Sequence, residues 1–262
     1  MTSPVEDALL ARLPAEIRVP LEFENWFQDT LQLAIESATL RVHGAVIDLV
    51  GKIESQGREQ EGLERDRYDV FVPPGGLLKA PARVREKLLD DLAAAELLPL
   101  TLDELAGRVL ALGDLGRFRI LGSLPRDVRR CLEAMFEGDP GKMLGRFPLR
   151  GEIKDFVRDP RLREPLRGHR AVQLTVVANP DATLHVSVEI QLMTALQHAW
   201  DRRNHCFYEW LRAGGAAARE ASLDLRIDDH AVAEALHVAD AMADRNFEAF
   251  LGLERGIREK RP

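Results

Sequence analysis

Two carboxylates, Asp114 and Glu189, stand where neighbouring strands of a sheet could bring them together. Asp114 closely precedes the short apolar stretch 117–121, and Glu189 lies in the alternating stretch 183–192. Mg²⁺ prefers one or two carboxylates together with substrate phosphates, so such a pair suits a metal-dependent nucleotide site. The phosphates also need cations, and fourteen lysines and arginines lie between residues 117 and 170. The pattern predicts a polyphosphate site, although many of these basic side chains must be solvated surface.

Alternation along the stretch 183–192 decides which way Glu189 points. Side chains on a strand alternate between its two faces. One face is apolar and carries Leu184, Val186, Val188, Ile190 and Leu192. The opposite face is polar and carries His185, Ser187, Glu189 and Gln191. A solvated sheet face would give the same alternation, and Asp114, which follows Gly113, could equally be a turn or cap residue.

Helices and strands alternate along the chain around these residues. Helical spacing predicts helices over 21–53, 82–96 and 231–250, and a capping box at Thr101 and Glu104 opens another. A helix follows the strand at 117–121, and the next begins near Ala195 and ends at the pair Gly214-Gly215. Further strands are predicted at 151–157, 171–177 and 183–192, the last two as an antiparallel pair, whereas 51–69 indicates a charged surface connection. The elements predict a mixed α/β fold: a mixed β-sheet core flanked by helices, with helical segments at both ends.

Composition excludes several classes of protein. The 36 basic and 43 acidic residues leave a net charge of -7, which argues against a nucleic-acid-coating protein and a polybasic membrane anchor. Two cysteines, Cys131 and Cys206, are too few for a disulfide framework and indicate a reduced setting. The N-terminus lacks signal-peptide character, and no apolar run approaches the roughly 20 residues of a membrane span. We therefore expect a soluble, cytoplasmic protein without membrane contact.

The candidate residues fall in three ordered blocks, DLGRFRIL, IKDFVRDPRLREPLRGHRAVQL and VEIQLMTALQHAWDRRNHCFY. These blocks resemble the synthetase domain of the RelA/SpoT-type (p)ppGpp synthetases. The matching positions are Asp114, Arg119, Lys154, Asp155, Gly168, Arg170, Glu189, Ile190, Gln191, Thr194, His198, Trp200, His205 and Tyr208. On this basis we expect an N-terminal helical segment over 1–60, a synthetase domain over 61–215 and a C-terminal helical extension over 216–262.

The resemblance implies a nucleotidyltransferase-like sheet and transfer of the β,γ-diphosphate of ATP to the 3′-hydroxyl of GDP or GTP. It implies that Asp114 and Glu189 hold Mg²⁺ and that Glu189 also activates the acceptor hydroxyl as a general base. On the donor side it implies Lys79 and Arg119 as phosphate-binding residues. On the acceptor side it implies Lys154, His169, Arg170 and Gln191.

Several positions depart from the pattern of this family. His169 stands where the family has a tyrosine that stacks on the acceptor base, and Gln173 stands where it has a histidine. Arg117 replaces a glycine and Met193 an arginine. On the donor side Lys79 is matched but Leu77 replaces an arginine, unless Arg65 or Arg67 fills that role.

Three functions follow from these matches and departures. The first is a small alarmone synthetase that makes (p)ppGpp. The second is a toxin-like enzyme that pyrophosphorylates the 3′ end of tRNA, which the Arg-rich middle and the altered acceptor positions favour. The third is a catalytically degenerate domain that binds a nucleotide or a protein partner. The terminal helix at 231–250 could cover the core or join two subunits as a homo-oligomer.

Overall fold

Apolar residues at helical spacing carry the chain from Pro20 to Glu61 as one nearly unbroken helix. It consists of α1 (Pro20–Phe27), a π-helical turn (Gln28–Gln32) and α2 (Leu33–Glu61). The computed structural model describes residues 11, 13–14, 17–61, 65–94, 100–159, 170–179 and 185–259. The buried stripe of this long helix includes Phe23, Phe27, Leu31 and Ile35. The helix predicted over 21–53 is thus confirmed, and it extends beyond its predicted end.

The prediction of a surface connection over 51–69 is wrong. α2 continues to Glu61 with Ile53 and Gly57 buried, and the strand β1 (Tyr68–Phe71) follows. Gly57 is required where the helix meets Arg67, because a Cβ at Gly57 would lie 2.4 Å from the Cζ atom of Arg67. Gly57 therefore serves the packing of the helix against Arg67. The many charged side chains of this stretch had suggested a surface connection.

A mixed five-stranded sheet forms the centre of the fold, in the order β1-β2-β7-β6-β5. Its other strands are β2 (Gly116–Gly122), β5 (Lys154–Asp155), β6 (Val172–Val177) and β7 (Ser187–Thr194). β2 and β7 are parallel, and the remaining neighbours are antiparallel. The mixed sheet and the antiparallel pair of β6 and β7 are confirmed. The strand predicted at 151–157 is reduced to Lys154–Asp155, and residues 183–184 lie outside the described residues. A separate hairpin of β3 (Lys142–Met143) and β4 (Phe147–Pro148) was not predicted.

The described residues form five further helices: α3 (Pro81–Ala94), α4 (Leu102–Ala111), α5 (Pro125–Met135), α6 (Ala195–Ala221) and α7 (Leu223–Arg258). The capping box at the start of α4 is confirmed, because Glu104 N donates to Thr101 Oγ1 and Thr101 N donates to Glu104 Oε2. The predicted stop at Gly214-Gly215 is wrong: α6 runs on to Ala221, so the predicted domain boundary at 215 lies inside a helix. No helix within the described ranges is long and apolar enough to span a membrane.

The apolar face of the sheet packs against α2 and α5. Phe118, Ile120, Leu174, Val188 and Ile190 are buried in one cluster with the stripe of α2. The approach is closest at Gly116, where an added Cβ would lie 2.1 Å from Thr39 Oγ1. This packing sets the distance between β2 and α2. The candidate site lies on the opposite face of the sheet.

Candidate active site

The strand register collects seven polar residues on the face of the sheet that turns away from α2. Paired residues in a sheet point their side chains to the same side. Arg117 pairs with Glu189 and Arg119 with Gln191 across β2 and β7. Across β7, β6 and β5, Glu189 pairs with Thr175, Gln191 with Gln173, and Gln173 with Lys154. We call these residues (Arg117, Arg119, Lys154, Gln173, Thr175, Glu189 and Gln191) the polar face.

Glu189 lies on β7, the central strand of the sheet, and two amides hold it. Its carboxylate accepts hydrogen bonds from Gln173 Nε2 and, at 2.9 Å, from Gln191 Nε2. Burial raises the pKa of Glu189, and the negative charge of Asp114 raises it further. A simply solvated sheet residue would have neither the amide partners nor the raised pKa. Gln173, noted above only as a departure from the family, therefore contacts the central carboxylate directly.

Asp114 follows α4 in the turn before β2 and is held by two lysines. Lys79 Nζ and Lys87 Nζ each donate to its carboxylate at 2.6 Å. Burial alone would raise the pKa of Asp114, but the hydrogen bonds from Lys79 and Lys87 outweigh it and the pKa is lowered. Asp114 is therefore an ionised carboxylate close enough to influence the ionisation of Glu189. The two expected carboxylates thus lie near each other, although Asp114 is in the turn before β2 and only Glu189 is on a strand.

Lys87 was not among the predicted site residues. It lies on α3, between the buried residues Val84 and Leu88 in sequence, and its ammonium group reaches Asp114. A signal for it exists in the helical spacing, because a residue beside the buried stripe of α3 must face the neighbouring elements. Without the tertiary contact, Lys87 cannot be distinguished in sequence from the other charged residues of the helix.

The segment that carries Lys79 joins the sheet at its edge beside β2. Leu78 forms an antiparallel bridge with Gly116, Arg117 N donates to Leu77 O at 2.8 Å, and Lys79 N donates to Leu115 O at 2.8 Å. Burial lowers the pKa of Lys79, and the positive charges of Lys87 and Arg117 lower it further, against the opposing effect of Asp114. Leu77 itself packs against the apolar core.

Arg65 and Arg67, the alternative donor-side arginines, are engaged elsewhere. Arg65 donates to both carboxylate oxygens of Asp127 on α5, at 3.0 and 2.9 Å. Arg67 is fully buried and pairs with Glu61 at the end of α2. These contacts tie α2, β1 and α5 together, so both arginines serve the scaffold.

Arg119 lies on the polar face but is engaged with α6. Its guanidinium contacts His198 Nδ1 at 2.9 Å and pairs with Asp201 at 2.7 Å. Burial lowers the pKa of His198, and the charge of Arg119 lowers it further. The His198 ring also lies 4.5 Å from the ring of Phe71 on β1. Arg119 thus links the β1 side of the polar face to α6.

The acceptor-side predictions divide into two groups. Lys154 and Gln191 lie on the polar face, with Lys154 exposed on β5. Gln191 Oε1 is buried and has no hydrogen-bond partner within the described part of the chain. Arg170 instead has a fully buried side chain and pairs with Glu234 of α7. His169 lies outside the described residues.

Comparison with solved structures identifies the fold. Small alarmone synthetase 1 from Bacillus subtilis, bound to its product pppGpp, matches with a TM-score of 0.51 and 18% sequence identity, over 81% of this chain and 96% of that chain. Small alarmone synthetase 2 from Bacillus subtilis matches with a TM-score of 0.50 and 17% identity, over 86% and 98% of the two chains. By sequence, no protein-family model and no curated protein matches. The chain has the fold of the RelA/SpoT-type small alarmone synthetases, as its three sequence blocks implied.

Proposed function

We propose that the protein transfers the β,γ-diphosphate of ATP to the 3′-hydroxyl of GDP or GTP and so makes (p)ppGpp. The observation that carries this proposal is the position of Glu189, a largely buried carboxylate on the central strand of a polar face. Cations lie on both sides of it, with Lys79, Lys87 and Arg117 towards β2 and Lys154 on β5. The likeness in fold to a synthetase bound to pppGpp supports a nucleotide substrate.

The chemistry of this transfer needs alignment and charge neutralisation more than covalent catalysis. The 3′-oxygen of the acceptor attacks the β-phosphorus of ATP. The bond from the β-phosphorus to the oxygen that bridges to the α-phosphate then breaks, and AMP leaves with that oxygen. The cations near Asp114 neutralise the donor phosphates, and Lys154 contacts the phosphates of the acceptor.

Glu189 takes the proton of the attacking hydroxyl. A carboxylate whose pKa is raised accepts a proton more readily, and burial together with the charge of Asp114 raises the pKa of Glu189. The amides of Gln173 and Gln191 hold the carboxylate in one orientation. Gln173 and Gln191 are thus positioning residues for this base.

Asp114 and Glu189 also form a donor set that fits Mg²⁺. Within the described ranges no three carboxylate, imidazole or thiol groups gather into a metal site. Mg²⁺ needs no such cluster, because it is usually held by one or two carboxylates with substrate phosphates and water. When bound, the ion would supply charge neutralisation at the phosphate oxygens. Burial raises the pKa of Glu189 and the charge of Asp114 raises it further, so a cation between the two carboxylates would relieve their repulsion.

The first experiment follows the label of ATP into three acceptors. The purified protein and Mg²⁺ are incubated with γ-³²P-ATP and, separately, with GDP, GTP or uncharged tRNA, and a parallel series uses α-³²P-ATP. We expect the γ label in a guanine nucleotide and the α label in an equal amount of AMP. Release of ADP would indicate transfer of a single phosphate and contradict the proposal. Label in tRNA alone would establish the toxin-like activity, and nucleotide binding without any labelled product would establish a binding domain.

A further inference from the structure

Arg117 is a cation on the polar face that forms no salt bridge within the described part of the chain. Its side chain is half-buried, and its Nε atom is buried without a hydrogen-bond partner among the described residues. The neighbouring Arg119, two residues along the same strand, is fully engaged with His198 and Asp201. A buried guanidinium nitrogen without an acceptor is unfavourable, and a bound anion would supply the missing acceptor.

At this end of the polar face, positively charged groups outnumber negatively charged ones. Lys79, Lys87 and Arg117 lie close together, since the charges of Lys87 and Arg117 both act on Lys79. Asp114 accepts from both lysines and so leaves the guanidinium of Arg117 uncompensated. Glu189, the strand neighbour of Arg117, has its oxygens directed to Gln173 and Gln191. Two ammonium groups and one guanidinium face two carboxylates, Asp114 and Glu189, so one positive charge is left over for an additional anion.

The backbone fixes Arg117 beside the edge segment that brings Lys79. Leu78 and Gly116 are bridge partners, so Leu77 and Arg117 stand opposite each other and point to the same side. Leu77 supplies no charge there, and Arg117 is the guanidinium next to Lys79. A planar guanidinium can contact two phosphate oxygens at once, which a lysine ammonium does not do.

We propose that Arg117 is a polyphosphate-binding residue and that it contacts the triphosphate of the donor nucleotide beside Lys79. The inference rests on the proposed function for the identity of the donor as ATP. It assigns a role to a residue that the resemblance to the family marked only as a departure from the family pattern. The acceptor, whose phosphates lie towards Lys154 on β5, makes no contact with Arg117.

The test is a set of binding titrations that need no turnover. Affinities for ATP, ADP, AMP and GDP are measured by isothermal calorimetry for the wild type, Arg117→Ala and Arg117→Lys, each at fixed Mg²⁺ concentration. For Arg117→Ala we expect affinity for ATP to fall by about 10- to 100-fold, as for loss of a charged hydrogen bond. Affinities for AMP and GDP stay at the wild-type value, and Arg117→Lys gives a smaller loss for ATP. An unchanged affinity for ATP, or an equal loss for GDP, would overturn the assignment.

Arg108→Ala is the matched control, because it removes one guanidinium from α4 that makes only a loose pair, 3.9 Å, with Asp91. It should leave every affinity unchanged. If Arg117→Ala does not fold, Arg117→Lys and Arg117→Gln keep the aliphatic stem and carry the same comparison. Should the wild type bind no nucleoside triphosphate, the proposed function fails, and inorganic tripolyphosphate then tests Arg117 by itself. Tripolyphosphate binding that Arg117→Ala weakens would support the residue, and equal binding would reject it.

Discussion

Glu189 and Asp114 are both carboxylates, but the protein holds them with different chemistry. Two neutral amides hold Glu189, and two ammonium groups hold Asp114. As a result the pKa of Glu189 is raised and the pKa of Asp114 is lowered. Two neighbouring acids whose pKa values are driven apart are a frequent arrangement in active sites, since one can exchange protons while the other stays charged.

Replacement of Glu189 by glutamine tests the central residue of the proposed site. Glu189→Gln keeps the shape of the side chain and removes its ability to accept the proton, so transfer should fall by about 10²- to 10⁴-fold. The labelled-ATP assay measures the rate, and circular dichroism checks that the fold is intact. Glu133→Gln, an exposed acid on α5, is the control and should keep full activity. A Glu189→Gln protein with more than half the wild-type rate would exclude the base role.

At this scale the sequence predicted the identity of the central residues better than their contacts. Asp114, Glu189, Gln191, Lys154 and Lys79 were predicted and lie on or beside the polar face. Contacts across elements could not be predicted, because they depend on distances between parts of the chain far apart in sequence. The amide of Gln173 on Glu189, the ammonium of Lys87 on Asp114 and the pairing of Arg170 with Glu234 all belong to this class.

A substitution at Gly116, where β2 crosses α2, tests how closely these two elements pack. In Gly116→Ala the new Cβ would lie 2.1 Å from the hydroxyl of Thr39, which is buried and bonded to Ile35 O. We expect a loss of about 1–3 kcal/mol in the free energy of unfolding, as for other overpacked sites. Gly51→Ala, on the same α2 with no atom within 4 Å of the new Cβ, should stabilise by up to about 1 kcal/mol. Urea denaturation measures both, and equal midpoints for the two variants would refute the close crossing.

α7 is attached to α5 through Asp244. Arg126 Nε donates to Asp244 at 2.6 Å and Arg129 at 3.0 Å, with Arg126 and Asp244 both largely buried. Asp244→Asn should lower the free energy of unfolding by about 1–3 kcal/mol at pH 7. Burial would raise the pKa of Asp244, but the hydrogen bonds from Arg126 and Arg129 outweigh it and the pKa is lowered.

The pH dependence of this contact has a definite sign. A carboxyl whose folded pKa lies below its usual 3.8 stabilises the fold at pH values above 3.8 and loses that contribution as the pH falls through the lowered pKa. The difference between wild type and Asp244→Asn should therefore be constant near neutrality and shrink only in acid. Glu248→Gln removes a mostly exposed carboxylate on the same helix and should cost less than about 0.5 kcal/mol. A difference that grows on acidification would contradict the assignment.

Helical periodicity located nearly all the helices, but it placed the ends of two of them too early. α6 continues through the pair Gly214-Gly215, which was expected to end it, and α2 continues through the charged residues 51–61, which were expected to form a surface connection. The intrinsic penalty of glycine, roughly 1 kcal/mol each, is smaller than what a long helix gains from packing. At Gly57 the absence of a side chain even makes room for Arg67. Strands of two residues, such as β3, β4 and β5, are too short to produce a periodic signal.

On the scale of the whole molecule, α7 exposes an apolar stripe, which Asp228 and Asn246 interrupt. Leu225, Val232, Ala239, Met242 and Leu253 are all exposed and occupy a and d positions of one heptad frame. We expect this stripe to join two copies of the chain. Light scattering after gel filtration should give a mass above the 29.4 kDa of one chain, and Met242→Lys with Leu253→Lys should return it to that value. A wild-type protein of single-chain mass at high concentration would exclude this interface.

The pairing of Arg170 with Glu234 has a practical consequence for work with shortened forms of the protein. Arg170 is one of the residues that the resemblance assigns to acceptor binding, and its buried guanidinium pairs with a carboxylate of the last helix. A form shortened before residue 234 would leave this buried charge without that carboxylate. A weakened affinity for GDP in such a form would then report on its terminus, and a comparison of acceptors should use the chain with α7 complete.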